Sequence, residues 1–462
     1  MDIDIRNDIS MAEKIASVAE SEGGHVYYVG GFVRDRVLGL EVKDVDIEVH
    51  GITEERLREI LQNLGSVMEI GAGFGIFGIK GCGLDIALPR TERKTGSGHR
   101  DFDVAADPFI GTYKAAQRRD FTVNAMMQDV LTGEVTDHFG GMEDLRRGVL
   151  RHVCDRTFGE DPLRVLRGAQ FAARFGFEMA PETACICRGI DLGNLPRERI
   201  EEELKKALLK AERPSVFFEV LRETGQLDVW FPEVKALIGI HQSERFHREG
   251  DVWNHTMLTL DNGAKLRNKV KEPYLFMLSA LTHDFGKIEA TEYVNGALHA
   301  YSHETLGLPL VHEFIRRLTH EAKTMKYVTN MTELHMMPNR MKPGRNGEGG
   351  KADEGAKLKS TNRMFDRAVC PNDLIYLAIA DGRSAISEEP FIDPEEFLLE
   401  RLRIYEELMS APHVTGADLI AAGLVPDESF RDILDHAHKL RLAGISKEES
   451  FKQILGYART LR

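Results

Sequence analysis

HVYYVGGFVRDRVLGLEVKDVDIEV, residues 25–49, decides how the N-terminal part of this chain folds. HVYYV (25–29) reads as a strand of β-branched and aromatic residues. Gly30-Gly31 turns the chain into a helix over FVRDRVLG. Residues 44–49, DVDIEV, alternate polar and apolar at the period of a half-buried strand. That period puts Asp44 and Asp46 on one face and sends Val45 and Ile47 into the core. Working outward, residues 1–24 read as a short helix and lead-in. TEERLREILQNL begins at Thr53 with an N-cap residue followed by helical spacing. Residues 67–88 supply further strands, ending in LDIAL. The first 150 residues are therefore α/β. Strand signals then fade, and nearly everything to the C-terminus reads as amphipathic helix. Gly73-Phe74-Gly75-Ile76-Phe77-Gly78 matches a dinucleotide-binding glycine pattern. That fingerprint needs a helix next, whereas IKGCGLDIAL reads as strand, so the glycines are assigned to tight turns.

The order strand, double-glycine turn, Arg-bearing helix and Asp-x-Asp strand carries chemistry. Two carboxylates this close repel unless a divalent cation lies beside them. Mg²⁺ is bound by one or two carboxylates together with substrate phosphates. The glycines let a backbone approach a triphosphate, and the helix after them offers free N–H groups to anions. Arg34, on its first turn, can reach the same phosphate.

Two downstream segments add recognition groups. RRDFTVNA (118–125) packs two cations, a carboxylate, a hydroxyl and an amide into seven positions. In EDPLRVLR (160–167), Pro162 suits the first turn of a helix, on which Asp161, Arg164 and Arg167 would recur every three residues and share a face. A carboxylate accepts from amino groups and a guanidinium donates to carbonyl and ring nitrogen, so an Asp–Arg pair can read a base edge without a template.

Composition is permissive. A chain of 462 residues, 42% hydrophobic and 29% charged, has the profile of a soluble globular protein of several structural units. No apolar run is long enough to span a membrane, and the acidic MDIDIRNDIS start is not a signal peptide. The five cysteines include no CxxC pair, which points to reduced thiols in a cytoplasm. A net charge of −14 speaks against nucleic acid on its face, but a basic stripe can coexist with acidic lobes, so the motifs decide.

GGFVRD, DVD, RRDFTVNA, DHFGGMEDL, EDPLRVLR followed by QFAARFGF, and RERIEEELKKAL resemble, in order, the motifs of class II tRNA nucleotidyltransferases, the CCA-adding enzymes. The resemblance implies a polymerase-β-like α/β nucleotidyltransferase head (1–150) followed by an all-α neck and body (151–240). It implies that Asp44 and Asp46 hold catalytic Mg²⁺. Gly31 and Arg34 would hold the triphosphate, with Arg119 beside the nucleotide. Asp161 and Arg164 would read CTP or ATP, supported by Arg167. Asp85 matches the position of a third carboxylate in the wider superfamily, while Asp120 and Asn124 build the pocket. RTERKTGSGHR (90–100) resembles the loop needed for adding A after CC.

Histidines concentrate after residue 240 and mark a second chemical centre. His255 lies in VWNHTMLTLD, His283-Asp284 in LTHDFGK, His303 in YSHETLG, His335 in ELHMMPN and Asp381 in AIADGR. Imidazole with carboxylate suits divalent transition metals or Mg²⁺. The ordered set resembles the HD phosphohydrolase superfamily, with Lys287 following the HD pair. This implies an HD domain (241–385), then a helical tail (386–462). His255, His283, Asp284 and Asp381 would hold a second divalent metal (Ni²⁺, Mn²⁺, Co²⁺ or Mg²⁺). His303 and His335 would serve substrate or a second metal. Head followed by HD domain resembles the multifunctional bacterial CCA enzymes, whose HD domain is linked to phosphatase and 2′,3′-cyclic phosphodiesterase activity. The expected partners are a tRNA 3′ end, CTP and ATP, with no membrane and a monomeric or homodimeric state. The Gly- and charge-rich stretch from Lys342 to Ser360 reads as a mobile loop. Three other readings stay open: an A-adding enzyme or poly(A) polymerase of the same family, a dead RNA-binding module, and an HD phosphohydrolase whose head only docks RNA.

Overall fold

The computed structural model describes residues 5–42, 44–71, 75–94, 102–341, 356–388 and 391–460. The chain gathers into two compact units. One comprises Met1–Ala207 and Val216–Trp230, the other Leu208–Ser215 and Phe231–Arg462.

The first unit is built on strands β1 (His25–Val29), β2 (Val45–His50), β3 (Val67–Gly71), β4 (Ile76–Ile79), β5 (Leu84–Ala87), β6 (Arg90–Lys94), β7 (Phe102–Ala106), β8 (Met127–Asp129) and β9 (Val135–Thr136). Seven form one mixed sheet in the order β3-β4-β5-β2-β1-β8-β9, and β6 pairs with β7 separately. Strand β2 runs antiparallel to β1 and parallel to β5. Alternation explains why it is stable: Val45, Ile47 and Val49 are fully buried, and their neighbours Leu84 and Ile86 on β5 are buried beside them. Each such side chain contributes about 1.5–3 kcal/mol of burial.

The helix Glu54–Leu64 starts where expected, Thr53 accepting from the Arg56 N–H. It buries Leu57, Ile60 and Leu61 on one stripe. Gly75 has φ +60 and leads into strand β4, so no helix follows the glycine-rich pattern; Gly73 and Phe74 lie outside the described residues. RTERKTGSGHR divides between strand β6 and residues outside the described set. After β9 the unit becomes helical, apart from a short parallel pair, Val149–Leu150 with Glu178–Met179.

The second unit is helical around an apolar centre. Helix Pro273–Thr282 is buried over every residue from Leu275 to Thr282, the mark of a helix enclosed on all sides. Helices Val252–Ala264, Ala322–Leu334 and Pro371–Ser384 pack against it. One element departs from the all-helical expectation: Thr291–Val294 and Ala297–Ala300 form an antiparallel hairpin. Its turn residues Asn295 and Gly296 both have positive φ, +50° and +86°. Of the stretch read as a mobile loop, 342–355 lie outside the described residues, and a helix, Leu358–Arg367, has begun before Ser360. Among the described residues, no helix is long and apolar enough to cross a membrane.

Candidate active sites

In the head, the β2–β5 ladder pairs Asp46 with Asp85, so both carboxylates project from the same face of the sheet. Asp44 is exposed one step before the strand. Burial pushes the Asp46 carboxyl up, Asp85 adds to the push, Arg119 opposes it and Asp44 reinforces it; the result is about 6. Burial and Asp44 also raise Asp85. The face thus presents clustered negative charge that Arg119 offsets only in part. Glu48, further along β2, differs. Burial alone would raise its carboxyl, but a hydrogen bond with His50 and the cations of Arg119 and Arg118 hold it down at about 2. It is an anchor for those arginines, 3.4 Å from Arg119 and 3.5 Å from Arg118.

The turn before the helix Gly31–Val37 needs its glycine at position 30, where φ is +64° and an added Cβ would lie 3.3 Å from the Arg119 guanidinium. Arg34 is only 4% exposed. It donates to Asn124 Oδ1 (2.7 Å) and to Asp35, and stacks over the Phe175 ring at 4.5 Å. Asn124 in turn donates to Asp120 Oδ1 (3.0 Å), and Asp120 Oδ2 accepts from Arg167 Nε (2.8 Å). Burial acts to raise the Asp120 carboxyl, but Arg167 and the hydrogen bonds outweigh it and lower it. A continuous Arg34–Asn124–Asp120–Arg167 chain therefore ties the glycine turn to the helix Leu163–Phe175.

That helix corrects one expectation. Asp161, Arg164 and Arg167 do not share a helical face, because the helix begins at Leu163, after Pro162. Asp161 sits outside it and accepts from the Leu163 N–H, so the carboxylate closes the helix end rather than riding on it. Its side-chain partner is Arg199, at 3.0 Å. Arg164 is buried and donates to the carbonyls of Thr157 (3.0 Å) and Arg118 (2.6 Å). Arg199 lies in the RERI stretch quoted for the resemblance. Nothing in local spacing marks it, since it meets Asp161 across 38 positions.

In the second unit, His255, His283, Asp284, His303 and His335 are buried together, with Asp381 part-buried beside them. Four helices aim them inward. His255 lies on Val252–Ala264, His283 caps Pro273–Thr282, His335 caps Ala322–Leu334, and Asp381 lies on Pro371–Ser384. His303 opens the short helix His303–Leu306. The Nδ1 atoms of His283, His303 and His335 each meet a carbonyl three residues back, of Ala280, Ala300 and Thr332, at 2.7–2.9 Å. Donation there turns each Nε2 toward the cluster, the tautomer a metal ligand requires; those of His303 and His335 lie 3.2 Å apart, and that of His283 has no hydrogen bond.

Asp284 stands between two sets. Its Oδ2 faces His283 (3.3 Å), His255 (3.7 Å) and Lys287 (2.7 Å); its Oδ1 faces His303 (3.3 Å) and His335 (3.8 Å). Asp381 Oδ1 lies 3.0 Å from His255 Nε2. His255, His283 and Asp381 are close enough to ligate one ion, as are Asp284, His303 and His335. Against burial, hydrogen bonds to Asp381 and Glu249 carry His255 up to about 9. Burial, with His283 and His303, brings His335 down to about 3. Burial is likewise outweighed at Asp284 and Asp381, where the surrounding imidazoles (and, at Asp284, Lys287) hold both carboxyls well below their ordinary range. Sequence reading missed Glu249, which accepts from His255 Nδ1 at 2.9 Å, and Gln242, which accepts from Lys287 at 2.7 Å.

Two glycines make this geometry reachable. A Cβ on Gly286 would lie 1.9 Å from the His303 carbonyl oxygen, and one on Gly307 would lie 2.5 Å from the Gly286 nitrogen. Their close contact seats His303 against the HD corner.

Fold and sites together define a nucleotidyltransferase-type head and, in a separate compact unit, a helical His/Asp cluster close-set enough to hold a metal ion. Residues 26–151 match the Poly A polymerase head domain, and residues 176–238 match the probable RNA and SrmB-binding site of polymerase A. The multifunctional CCA protein of Nitrosococcus oceani is 35% identical over 407 residues, covering 86% of this chain and 93% of its own length. That of Actinobacillus pleuropneumoniae serotype 5b is 38% identical over 317 residues, covering 67% and 75%. Among solved structures, the Bacillus stearothermophilus CCA-adding enzyme in complex with CTP shares the fold, with a TM-score of 0.64, 19% identity and 98% of each chain covered. The Thermotoga maritima CCA-adding enzyme complexed with tRNA shares it too, with a TM-score of 0.61, 19% identity and 99% and 96% covered. The chain belongs to the multifunctional CCA protein family of CCA-adding enzymes.

Proposed function

We propose that this protein adds C, C and A to the 3′ end of tRNA from CTP and ATP without a nucleic-acid template, and that its His/Asp centre hydrolyses phosphate esters at RNA ends. The observation that carries the first activity is the Asp44–Asp46–Asp85 carboxylate face, offset only in part by Arg119, in a chain of this family. Those carboxylates fit Mg²⁺, whose charge the cluster lacks; when bound, it supplies neutralisation of the triphosphate and acidifies the attacking 3′-hydroxyl. Gly30 and Gly31 bring backbone N–H groups to the phosphates. Arg34, bonded to Asn124, ties the helix after that turn to the pocket, and Arg119, fixed by Glu48, lies beside Gly30. Base choice falls to Asp161, whose carboxylate exchanges Arg199 for the amino group of cytosine or adenine. Arg164 and Arg167 hold the frame in which it sits.

For the second activity, His255, His283, Asp284 and Asp381 would hold one divalent metal. His303 and His335 would hold a second on the other oxygen of Asp284, or face substrate. The orphaned Nε2 of His283, buried with no hydrogen bond, fits that assignment. A bound metal supplies a hydroxide nucleophile near neutral pH, while Lys287 places a cation beside the phosphate. The deciding experiment incubates purified protein with tRNA lacking its 3′ CCA and labelled CTP or ATP. Two C and one A incorporated per tRNA is the expected result; A alone, or no incorporation, would overturn the reading.

A further inference from the structure

The His/Asp centre opens into a cavity of about 1050 Å³. That is the upper end of the range for pockets that enclose a whole small molecule, roughly 300–1,000 Å³, and far more than a phosphate group needs. Its floor carries Asp284, Lys287, His303 and Asp381. Its outer part is of different chemistry: Phe246, Phe391, Ile392 and Leu298 line it, with Arg245 stacked on Phe246 at 5.2 Å. Phe246 is 53% exposed and Phe391 36% exposed, apolar surface that lines the cavity.

Phe391 is placed with care. Its ring lies against Gly382, immediately after Asp381, so closely that a Cβ on that glycine would be 2.1 Å from a ring carbon. The missing side chain lets an aromatic wall stand directly over the residue that closes the metal centre. Gln242 adds a polar group. Its Oε1 accepts from Lys287, while its Nε2 is buried without a partner, a donor held ready at the cavity wall.

Resting on the esterase reading above, we propose that the outer cavity is a nucleobase subsite in which Phe391 is the wall that the base packs against. The ligand is a nucleoside carrying a phosphate ester on its ribose. Its phosphate lies at the floor, the Gln242 amide donates to an oxygen of the ligand, and the base packs on the phenyl ring. Base–aromatic packing of this kind tolerates any base, because every base offers a π-face.

The test is equilibrium binding of adenosine 2′-monophosphate to the Mn²⁺-loaded full chain, with saturating CTP present to fill the head. Phe391→Ala is expected to weaken binding about tenfold, Phe391→Trp to restore it, and both to leave the affinity for inorganic phosphate within about twofold of wild type. Gly382→Ala, which dislodges the ring without removing it, should weaken nucleotide binding in the same direction. A trinucleotide ending in the same 2′-phosphate, measured in parallel, separates an RNA end from a free nucleotide as the source. Equal loss of nucleotide and phosphate binding in Phe391→Ala, or no loss of either, overturns the subsite. Failure of the wild type to bind adenosine 2′-monophosphate overturns it as well. Binding that depends on Phe391 in a protein that hydrolyses no ester with any divalent metal would leave the subsite standing and remove the esterase reading instead.

Discussion

The two clusters hold aspartates under opposite conditions. On the head's sheet face, Asp46 meets Asp44 and Asp85, and its carboxyl is pushed up to about 6. In the helical unit, Asp284 and Asp381 sit among imidazoles, with Lys287 at 2.7 Å from Asp284, and both are held well below their ordinary range. At the first site only Arg119 works against the mutual repulsion of the carboxylates. The second is a nearly complete ligand cage before any ion arrives. On the proposed reading, the first would exchange metal-bound nucleotide in every cycle and the second would retain an ion.

The same substitution should therefore change stability in opposite directions. Asp381→Asn removes a carboxylate that His255 needs and leaves that buried imidazolium without it. A loss of about 3–5 kcal/mol is expected in chelator-treated protein at pH 7. Because the Asp381 carboxyl is depressed in the folded state, its contribution is present above the unfolded carboxylate range and fades as pH falls below about 4. Denaturant titration of both proteins checks this, and equal stability would break the contrast.

Gly286→Ala probes geometry rather than charge. Displacing His303 by the clash with its carbonyl should lower phosphoesterase activity about 10–100-fold, the range for a disturbed metal shell. Nucleotide addition should stay within about twofold. An unaltered esterase rate would remove His303 from the site.

Asp46→Asn, by contrast, should stabilise the metal-free head by something on the order of 2 kcal/mol at pH 7, with allowance for its partial exposure. The sign follows from the raised carboxyl. Between the ordinary carboxylate value of 3.8 and about 6, the folded state binds the proton more tightly than the unfolded state. Stability is therefore lost as pH rises through that window and stays lost above it. The Asn variant should lack this dependence, and saturating Mg²⁺ should narrow its advantage. Destabilisation in chelator would show that the cluster is neutralised from within.

The smallest effect concerns selection. Asp161→Ala should relax discrimination against UTP and GTP about tenfold, the scale of one base-edge contact. Misincorporation measured with all four nucleotides tests it; unchanged selectivity would move base reading elsewhere.

Much of the head was legible because its signals are local. HVYYV, the Thr53 cap and the alternation through DVDIEV each depend on neighbours within a few residues, and the strands and helix follow them. What did not show locally is what long-range contacts decide. Arg34 carries no mark of its burial against Asn124, 90 positions away. The shared face expected for Asp161 and Arg164 failed because the helix starts at Leu163, leaving Arg164 on it and Asp161 outside, where its carboxylate accepts from the Leu163 N–H. The Thr291–Ala300 hairpin was different: an Asn-Gly pair between β-prone runs is a strong turn signal, and it was submerged in the helical reading around it. That hairpin ends on Ala300, whose carbonyl meets His303 Nδ1, so overlooking it hid what fixes the ligand. The histidines themselves were readable as an ordered set; that Asp284 divides them into two groups depends on four helices meeting.

The central claim is that the molecule carries two separable active sites, and one experiment tests it directly. CCA addition to tRNA and divalent-metal-dependent hydrolysis of a nucleoside 2′,3′-cyclic phosphate are measured side by side on folded Asp46→Ala and His283→Ala proteins. The expected result is reciprocal: Asp46→Ala loses addition by at least about a thousandfold, with several kcal/mol resting on the metal, and keeps hydrolysis, while His283→Ala loses hydrolysis and keeps addition. Loss of addition in His283→Ala with hydrolysis unchanged would contradict the account.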